Sequence, residues 1–243
     1  MSTPSSQLLA YREVWERKAV LRELYADYYR RMAKACVPGK TLEIGGGVGN
    51  FKDFAEGTLS TDIQFAPWLD LVADAQGMPF GEASFDNIVM MDVLHHIESP
   101  RKLLSEAERL LRPHGRIVML EPAVTPVSNP FYTHFHPEPV DMTADPLADI
   151  PSNAKRPPYD ANTAIPALLF GKYLARLERE FPNIHLIRVE WMTALTYLLS
   201  GGFREWSLLP RPLLEPLLAL DQGLSPLFGR LMGFRVFSVL EKK

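Results

Sequence analysis

Hydrophobic and polar positions follow two patterns along this 243-residue chain. Over residues 7–36, apolar and aromatic residues recur at spacings of three, four and seven, which predicts one or two amphipathic helices ending at Pro38 and Gly39. Between residues 41 and 122, short apolar runs alternate with helical stretches, of which 100–111 is the clearest. We place the strands of this region near 41–45, 57–62, 70–73, 86–91 and 115–121. Such alternation predicts a parallel sheet with helices on both faces.

The C-terminal part, residues 185–243, is expected to complete the sheet. The segment HLIRVEW is a candidate strand, and MTALTYLLSGGF reads as a helix that ends at Gly201 and Gly202. Further strands are predicted at Phe203–Leu209 and Phe234–Glu241. The apolar, helical stretch 213–233 between them is interpreted as packing helices. A surface for a lipid-like substrate or a membrane is the alternative for that stretch.

A glycine-rich turn follows the first predicted strand in the sequence TLEIGGGVGN, residues 41–50. Glycine permits positive φ and lets a ligand approach the backbone. A dinucleotide-binding turn carries its acid about 20 residues after the glycines, whereas here Glu43 precedes Gly45, Gly47 and Gly49. An acid at that position would repel a pyrophosphate and could accept a hydrogen bond from an ammonium group. The turn therefore favours a cationic ligand such as S-adenosylmethionine over a nicotinamide dinucleotide.

Acidic residues also follow the next predicted strands. Asp62 ends the second strand, where an acid is placed to bind ribose hydroxyls, and Asp74 follows the third. The ends of the fourth and fifth strands carry Met91–His96 and Glu121. Ligands of open parallel sheets bind at the carboxyl ends of the strands. The sequence therefore predicts a nucleotide-sized site along that edge.

Taken together, these blocks resemble the class I S-adenosylmethionine-dependent methyltransferases, in the branch with the pattern DAxxLPFxxxSFDxVxxxxxLHHI. The resemblance covers about Thr41 to Pro122. It is carried by Asp74, Ala75, Met78, Pro79, Phe80, Ser84, Phe85, Asp86, Leu94, His95, His96 and Ile97. It implies an α/β, doubly wound, Rossmann-like and mostly parallel seven-stranded sheet, with helices on both faces and a C-terminal antiparallel hairpin. The strands at Phe203–Leu209 and Phe234–Glu241 fit that hairpin.

The chain is expected to be a single methyltransferase domain with four regions. Residues 1–38 form an N-terminal helical cap, 39–122 the cofactor-binding core, 123–184 a substrate-covering insertion, and 185–243 the end of the sheet with a helical insert. The cap either covers a sheet edge or closes over the cofactor as a lid, with Arg17, Lys18 and Arg22 facing a substrate anion in the second case. The long, proline-broken, aromatic insertion is predicted to cover the catalytic face.

The resemblance also implies which residues surround S-adenosylmethionine. Glu43, Gly45 and Gly47 would surround its methionine end, and Asp62 would bind the ribose. The remaining expected contacts are Ile63, Asp74 and Ala75 with the adenine, and Met91 and His96 with the methionine portion. One departure from the pattern is Gly46, which makes the turn richer in glycine than the pattern requires.

Four histidines are candidates for catalysis: His95, His96, His134 and His136. Any of them could act as a general base where the methyl acceptor carries a proton. For His95 and His96, capping and packing of a helix is the alternative. His134 and His136, with Glu138 and Asp141, have the residue types of a metal site but no further well-spaced ligand. No bound metal is therefore predicted.

Composition narrows the function further. A net charge of −3 without a basic stripe argues against nucleic acid as a partner. The lone cysteine, Cys36, excludes an internal disulfide, and a cytoplasmic protein is expected because the first residues lack a signal pattern. The prediction is methyl transfer to an O, N or C atom of a small metabolite, sugar or lipid-linked intermediate. A non-catalytic cofactor-binding partner and a nicotinamide dehydrogenase are the alternatives, and the oligomeric state is left open.

Overall fold

A seven-stranded sheet organises the computed structural model, which describes residues 3–150 and 156–243. The strands are β1 (Thr41–Ile44), β2 (Leu59–Asp62), β3 (Leu71–Val72), β4 (Phe85–Met91), β5 (Leu111–Pro122), β6 (Ile184–Met192) and β7 (Arg235–Lys242). Their spatial order is β3-β2-β1-β4-β5-β7-β6. Strands β1 to β5 pair in parallel, and β7 runs antiparallel to both of its neighbours. The predicted Rossmann-like sheet is confirmed.

Eight α-helices surround the sheet in the described residues. They are α1 (Ser6–Arg17), α2 (Ala19–Ala35), α3 (Pro100–Leu110), α4 (Ser128–Phe135), α5 (Ile165–Phe170), α6 (Leu174–Glu180), α7 (Leu195–Ser200) and α8 (Leu214–Met232). Short 3-10 turns lie at Phe51–Asp53, Leu94–His96 and Arg211–Leu213. None of the described helices is both long enough and apolar enough to cross a membrane.

The core lies on both faces of the sheet because successive strand residues point to opposite sides. On β5, Val118 and Leu120 pack into the cluster that contains the buried face of α2. Ile117 and Met119 belong to the other cluster, together with residues of α3, α5 and α6. All four side chains are fully buried. A strand of this kind reads as a continuous apolar run, which is why β5 was predictable.

The predicted strand at Phe203–Leu209 is wrong. This segment is irregular, and β6 takes the place beside β7 that the prediction gave to it. The carbonyl groups of Gly202, Arg204 and Trp206 each accept a hydrogen bond of 2.8 Å from the Lys18 ammonium group. One lysine therefore satisfies the backbone oxygens that a strand would have paired, so the antiparallel pair is formed instead by β6 and β7, joined through α7 and α8.

Most of the connection between the glycine turn and β2 is irregular. Only Phe51–Asp53 is helical there, as a 3-10 turn. The aromatic ring of Tyr29, from α2, packs against Phe51 and Phe54 at centroid distances of 5.8 and 5.3 Å. The N-terminal helices therefore cover the face of the sheet that a longer helix would otherwise have covered.

Helix α8 is attached to α7 through one buried carboxylate. The carboxylate of Asp221 accepts hydrogen bonds from the hydroxyl groups of Thr193 and Thr196, and from the backbone N–H groups of Leu195 and Thr196, at 2.6 to 2.9 Å. These N–H groups belong to the first turn of α7, which has no partner for them within the helix. Asp221 therefore serves as the N-terminal cap of α7 from outside the helix.

We expect Asp221→Ala to lower the free energy of unfolding by about 3 kcal/mol, because it leaves buried donors without an acceptor. Urea unfolding followed by circular dichroism measures this loss. Glu215→Ala is the matched control, since Glu215 is an exposed acid on the same helix and its removal should change stability by less than about 0.5 kcal/mol. Equal stability of the two variants would contradict the capping role.

Candidate active site

The site begins at the carboxyl end of β1, where Glu43 is buried. One carboxylate oxygen of Glu43 accepts a hydrogen bond from the Ser60 hydroxyl group of β2. Burial raises the pKa of Glu43 to about 7, although the Ser60 bond acts in the opposite direction. The acid that precedes the glycine turn therefore changes charge near neutral pH.

The glycine turn folds closely over this acid. Gly45 has φ of +71°, and a Cβ atom there would lie 2.3 Å from Val93. At Gly46, the position that departs from the sequence pattern, a Cβ would lie 2.2 Å from the Ser60 hydroxyl oxygen. The extra glycine is therefore required by packing. The N–H group of Gly47 donates a 3.1 Å hydrogen bond to Asp62, which ties the turn to the end of β2.

The ends of β2 and β3 supply acceptors along the same wall. Asp62 also accepts the N–H group of Gln64 at 2.9 Å, and burial raises the pKa of its carboxyl group against these backbone bonds. Asp74 accepts the N–H group of Gln76 at 2.9 Å. The side chain of Ile63 is half exposed and Ala75 is buried, and both line the cavity beside these acids.

An ion pair forms the base of the site at the end of β4. Asp92 has φ of +57°, a left-handed conformation that is uncommon for a non-glycine residue. Both of its carboxylate oxygens accept hydrogen bonds from Arg235, at 2.8 and 2.7 Å. The Arg235 guanidinium group is buried over the ring of Tyr197, 4.3 Å from its centroid. The base of the cavity is thus an ion pair packed against an aromatic ring.

His95 lies between two carboxylates beyond this ion pair. Its Nδ1 atom is 2.8 Å from Glu121, and its Nε2 atom is 3.3 Å from Glu138. Glu121 also accepts the N–H groups of Val93 and Leu94, so its position is fixed by three donors. Burial alone would lower the pKa of His95, but the bonds to Glu121 and Glu138 outweigh it and raise the pKa to about 10. The same contact with His95 overcomes burial at Glu138 and lowers its pKa to about 2.

Two further imidazoles face Glu138. The Nε2 atom of His96 lies 3.6 Å from its carboxylate, and the Nδ1 atom of His136 lies 3.8 Å from it. Burial lowers the pKa of both His96 and His136, so both rings are neutral at pH 7. His134 is exposed on α4 and does not line the cavity. We therefore drop it from the candidate residues.

Most of these groups line one cavity of about 930 Å³, whereas Ser60, Glu121 and His134 lie outside its lining. It extends from the glycine turn to the histidine cluster, and aromatic side chains supply much of its wall. The aromatic residues include Tyr11, Tyr25, Tyr29, Phe131, Tyr132 and Phe203. A cavity of this size matches the upper range of small-molecule sites, so it has room for a cofactor and a second small molecule.

The N-terminal helices contribute side chains to the cavity. Leu8 and Tyr11 of α1 line it, and Arg12 donates a 2.6 Å hydrogen bond to the carbonyl oxygen of Val48 in the glycine turn. The basic residues of the lid interpretation have other partners. Arg17 pairs with Glu205, Lys18 binds backbone carbonyls of the 202–206 loop, and Arg22 binds the carbonyls of Trp15 and Glu16. The expectation that these three face a substrate anion is wrong.

Comparison with known families gives a match to part of the chain. Residues 42–119 match the model of a methyltransferase domain. This segment is therefore similar to methyltransferase domains. The glycine turn and the acids at the ends of β1, β2 and β3 all belong to the matched segment, whereas the insertion and the C-terminal part lie outside it.

Curated relatives match less than half of the chain. A demethylmenaquinone methyltransferase from Renibacterium salmoninarum is 30% identical over 116 residues, which are 42% of this chain and 48% of the relative. One from Clavibacter sepedonicus is 39% identical over 79 residues, 31% of this chain and 32% of the relative. The chain thus spans half or less of the length of these relatives.

Solved structures extend the likeness to nearly the whole chain. A methyltransferase from Thermotoga maritima, described as a possible histamine N-methyltransferase, aligns with a TM-score of 0.57 at 16% identity, covering 94% of this chain and 95% of the other. The geranyl diphosphate C-methyltransferase of Streptomyces coelicolor A3(2) aligns with a TM-score of 0.56 at 12% identity, covering 91% and 82%. At these identities the likeness concerns the fold.

The cavity brings together most of the predicted residues. Its lining includes Glu43, Gly45, Gly47, Asp62, Ile63, Asp74, Ala75, Met91, His95, His96 and His136. The pattern missed the Asp92–Arg235 pair and the role of Glu121 beside His95. An arginine within the apolar strand FRVFSVL was a usable signal, since a charge in a buried strand requires a partner. Glu121 was named as a strand end, but nothing local linked it to His95.

We expect Gly46→Ala to destabilise the protein by about 1–3 kcal/mol, since the added methyl group collides with Ser60 and Leu69. Thermal unfolding of the purified protein measures the effect. Gly77→Ala is the matched control, because a Cβ at Gly77 meets nothing within 4 Å. If both variants unfold at the wild-type temperature, the close packing of Gly46 is not a constraint on this turn.

Proposed function

We propose that this protein transfers a methyl group from S-adenosylmethionine to an O, N or C atom of a small molecule. The observation that carries the proposal is the single cavity joining the glycine turn to the histidine and glutamate cluster. The cofactor supplies a methyl group on a sulfonium leaving group. Methyl transfer is a displacement in which the protein chiefly holds the reactants in line, a term worth up to roughly 7–11 kcal/mol.

The residues present fit this cofactor. Glu43 in its ionised form offers an acceptor for the ammonium group, and Gly47 leaves open space, since a Cβ there would meet only a backbone oxygen at 3.8 Å. Asp62 has one N–H donor at each carboxylate oxygen and retains lone pairs for ribose hydroxyls. Asp74 and Ile63 would contact the adenine. We assign Gly45, Ala75, Met91 and His96 to the same binding surface.

The histidine cluster would handle the proton of the acceptor. His95 is held by two carboxylates and its pKa is raised, so it is poorly suited to accept a proton at pH 7. His96 and His136 are neutral and line the cavity, so either can accept one. We therefore assign His95 to positioning and the general-base role to His96 or His136.

Aromatic walls favour an acceptor that carries a ring or an unsaturated chain over a sugar. Flat rings stack on aromatic side chains with a gain of about 0.5–1.5 kcal/mol per pair beyond burial. The shared segment of the demethylmenaquinone methyltransferases supports the same class. Leu208, which is 72% exposed, lies two residues after the cavity-lining residue Trp206. This exposed apolar side chain favours a lipid-linked acceptor among the alternatives.

A non-catalytic cofactor-binding partner is the competing function. It requires the same glycine turn and acids, but it gives no reason for three imidazoles and a glutamate to converge at the far end of the cavity. Incubation with labelled cofactor and a panel of quinols, phenols, amines and prenyl compounds distinguishes the two functions. Methyl incorporation supports the enzyme, and binding without incorporation across the panel supports the partner.

We expect calorimetric titration to give saturable binding of S-adenosylmethionine and S-adenosylhomocysteine. Asp62→Ala should weaken both by about 100-fold, because two charge-assisted hydrogen bonds to the ribose are lost. Asp53→Ala is the control, since Asp53 is exposed and lies outside the cavity lining. Unchanged affinity in Asp62→Ala would remove Asp62 from the site, and no binding by the wild type would overturn the proposal.

The raised pKa of Glu43 predicts a pH dependence of cofactor affinity. In the free protein, the pKa of the Glu43 carboxyl group is higher in the folded state than its unfolded value of 4.5. Protonated Glu43 therefore adds to the free energy of unfolding below pH 4.5, and this contribution is lost as the pH rises through about 7. The ionised form that accepts the ammonium group is populated above about pH 7. Affinity for S-adenosylhomocysteine should therefore rise by up to about tenfold from pH 6 to pH 8.

Glu43→Gln should bind more weakly than the wild type at pH 8 and should show no such rise. Calorimetry in buffers of matched ionic strength measures both quantities. A wild-type affinity that is flat across this range would mean that Glu43 does not contact the ammonium group.

A further inference from the structure

Three side chains at the end of the cavity away from the glycine turn present lone pairs to one another, and one of them, His96, is shared with the cofactor-binding surface proposed above. His95, His96 and Glu138 each place a potential ligand atom within 4.8 Å of the others. His95 is buried and the other two are half-buried. Each nitrogen can offer a lone pair only if it carries no hydrogen.

The tautomer of each histidine is set by its second nitrogen. The Nδ1 atom of His95 faces the carboxylate of Glu121 at 2.8 Å, and the Nδ1 atom of His96 lies 3.4 Å from the carbonyl oxygen of Asp160. Both partners can only accept a hydrogen bond, so both Nδ1 atoms carry the hydrogen. In a neutral ring the Nε2 atom is then an acceptor.

Both Nε2 atoms face Glu138, which is also an acceptor. The distances are 3.3 Å for His95 and 3.6 Å for His96. A proton on Nε2 of His95 turns the first contact into a hydrogen bond to Glu138. In the second contact, the acceptor Nε2 atom of neutral His96 still faces the carboxylate with no hydrogen between them. A divalent cation between the three groups would relieve both contacts at once.

The two histidine–glutamate distances, 3.3 and 3.6 Å to different oxygens of Glu138, suit such an ion. Donor atoms bound tetrahedrally at about 2.0–2.1 Å lie about 3.3 Å from one another. Histidines that bind metal ions almost always donate their other N–H group to a carboxylate or a backbone carbonyl. Here His95 donates to the carboxylate of Glu121, and His96 donates to the backbone carbonyl oxygen of Asp160.

We propose that His95, His96 and Glu138 bind one divalent transition-metal ion of the Zn²⁺ or Co²⁺ class, with a coordination position open to the cavity. Two imidazoles and a carboxylate suit these ions, whereas Mg²⁺ and Ca²⁺ prefer oxygen ligands. The proposed metal ligands differ from the pair that the sequence suggested, His134 with His136, because His134 is exposed on α4. With the proposed function, the ion would lie at the acceptor end and bind an oxygen of the acceptor, and proton acceptance would fall to His136.

The experiment is a titration of the purified, chelator-treated chain with Co²⁺, followed by visible absorption, and with Zn²⁺ in competition with a chromophoric chelator. We expect one saturable site, and excess Mg²⁺ should not displace the Co²⁺. Glu138→Gln should weaken Co²⁺ binding by at least about 100-fold, and Glu121→Gln by about 10–100-fold, since Glu121 only orients His95. His134→Gln is the matched control and should leave affinity within about twofold.

Absence of saturable Co²⁺ and Zn²⁺ binding would overturn the proposal, as would equal affinity in wild type and Glu138→Gln, which would place the ion elsewhere. Circular dichroism of each variant checks that it is folded. Titration of the same samples with S-adenosylhomocysteine separates the two proposals. Cofactor binding without metal binding refutes only the metal site, and metal binding without cofactor binding refutes only the proposed function.

Discussion

The ion pair between Asp92 and Arg235 determines how the parallel and antiparallel parts of the sheet meet. It joins the end of β4 to the first residue of β7, and Tyr28 and Tyr197 place their rings against the guanidinium group. Arg235 is only 2% exposed, so removal of its partner would leave a buried charge at a cost of about 3–5 kcal/mol. The ion pair also holds Asp92 in its left-handed backbone conformation, since strained residues persist where their surroundings fix them in place. The base of the cavity depends on this pair.

The other acids at the strand ends differ in how much of their hydrogen-bonding capacity the protein itself uses. Glu121 accepts two N–H groups and a contact from His95, and both oxygens of Asp92 accept from Arg235. Asp62 accepts the N–H groups of Gly47 and Gln64, Asp74 accepts that of Gln76, and both acids line the cavity. Acids that look equivalent in sequence therefore divide into supports for the site and acceptors for a ligand. Burial and partners decide this division, and neither is visible in a motif.

The sequence predicted the sheet correctly, and most of the residues that it proposed for the cofactor line one cavity, because both predictions depend on local signals. Glycines, strand ends and the LHHI block lie within one continuous stretch of alternating strands and helices. The errors concern contacts between distant residues. Phe203–Leu209 has a strand-like composition, but Lys18, which lies between α1 and α2 about 185 residues earlier, binds the backbone carbonyls of Gly202, Arg204 and Trp206. Arg235 and Glu138 likewise take their roles from partners far away in the sequence.

The site at the histidine pair likewise combines a local sequence signal with a contact from a distant residue. His95 and His96 lie in a 3-10 turn inside the segment that matches the methyltransferase domain, whereas Glu138 lies after it, in the insertion. The end of the cavity that we propose for the acceptor is thus built where the matched segment meets residues that follow it in the chain. Fold and cofactor motif leave the acceptor undetermined in such a protein. Because residues 123–150 and 156–184 supply Glu138, His136 and the aromatic wall around Tyr132, the specificity of this chain must be sought there and not in its glycine turn.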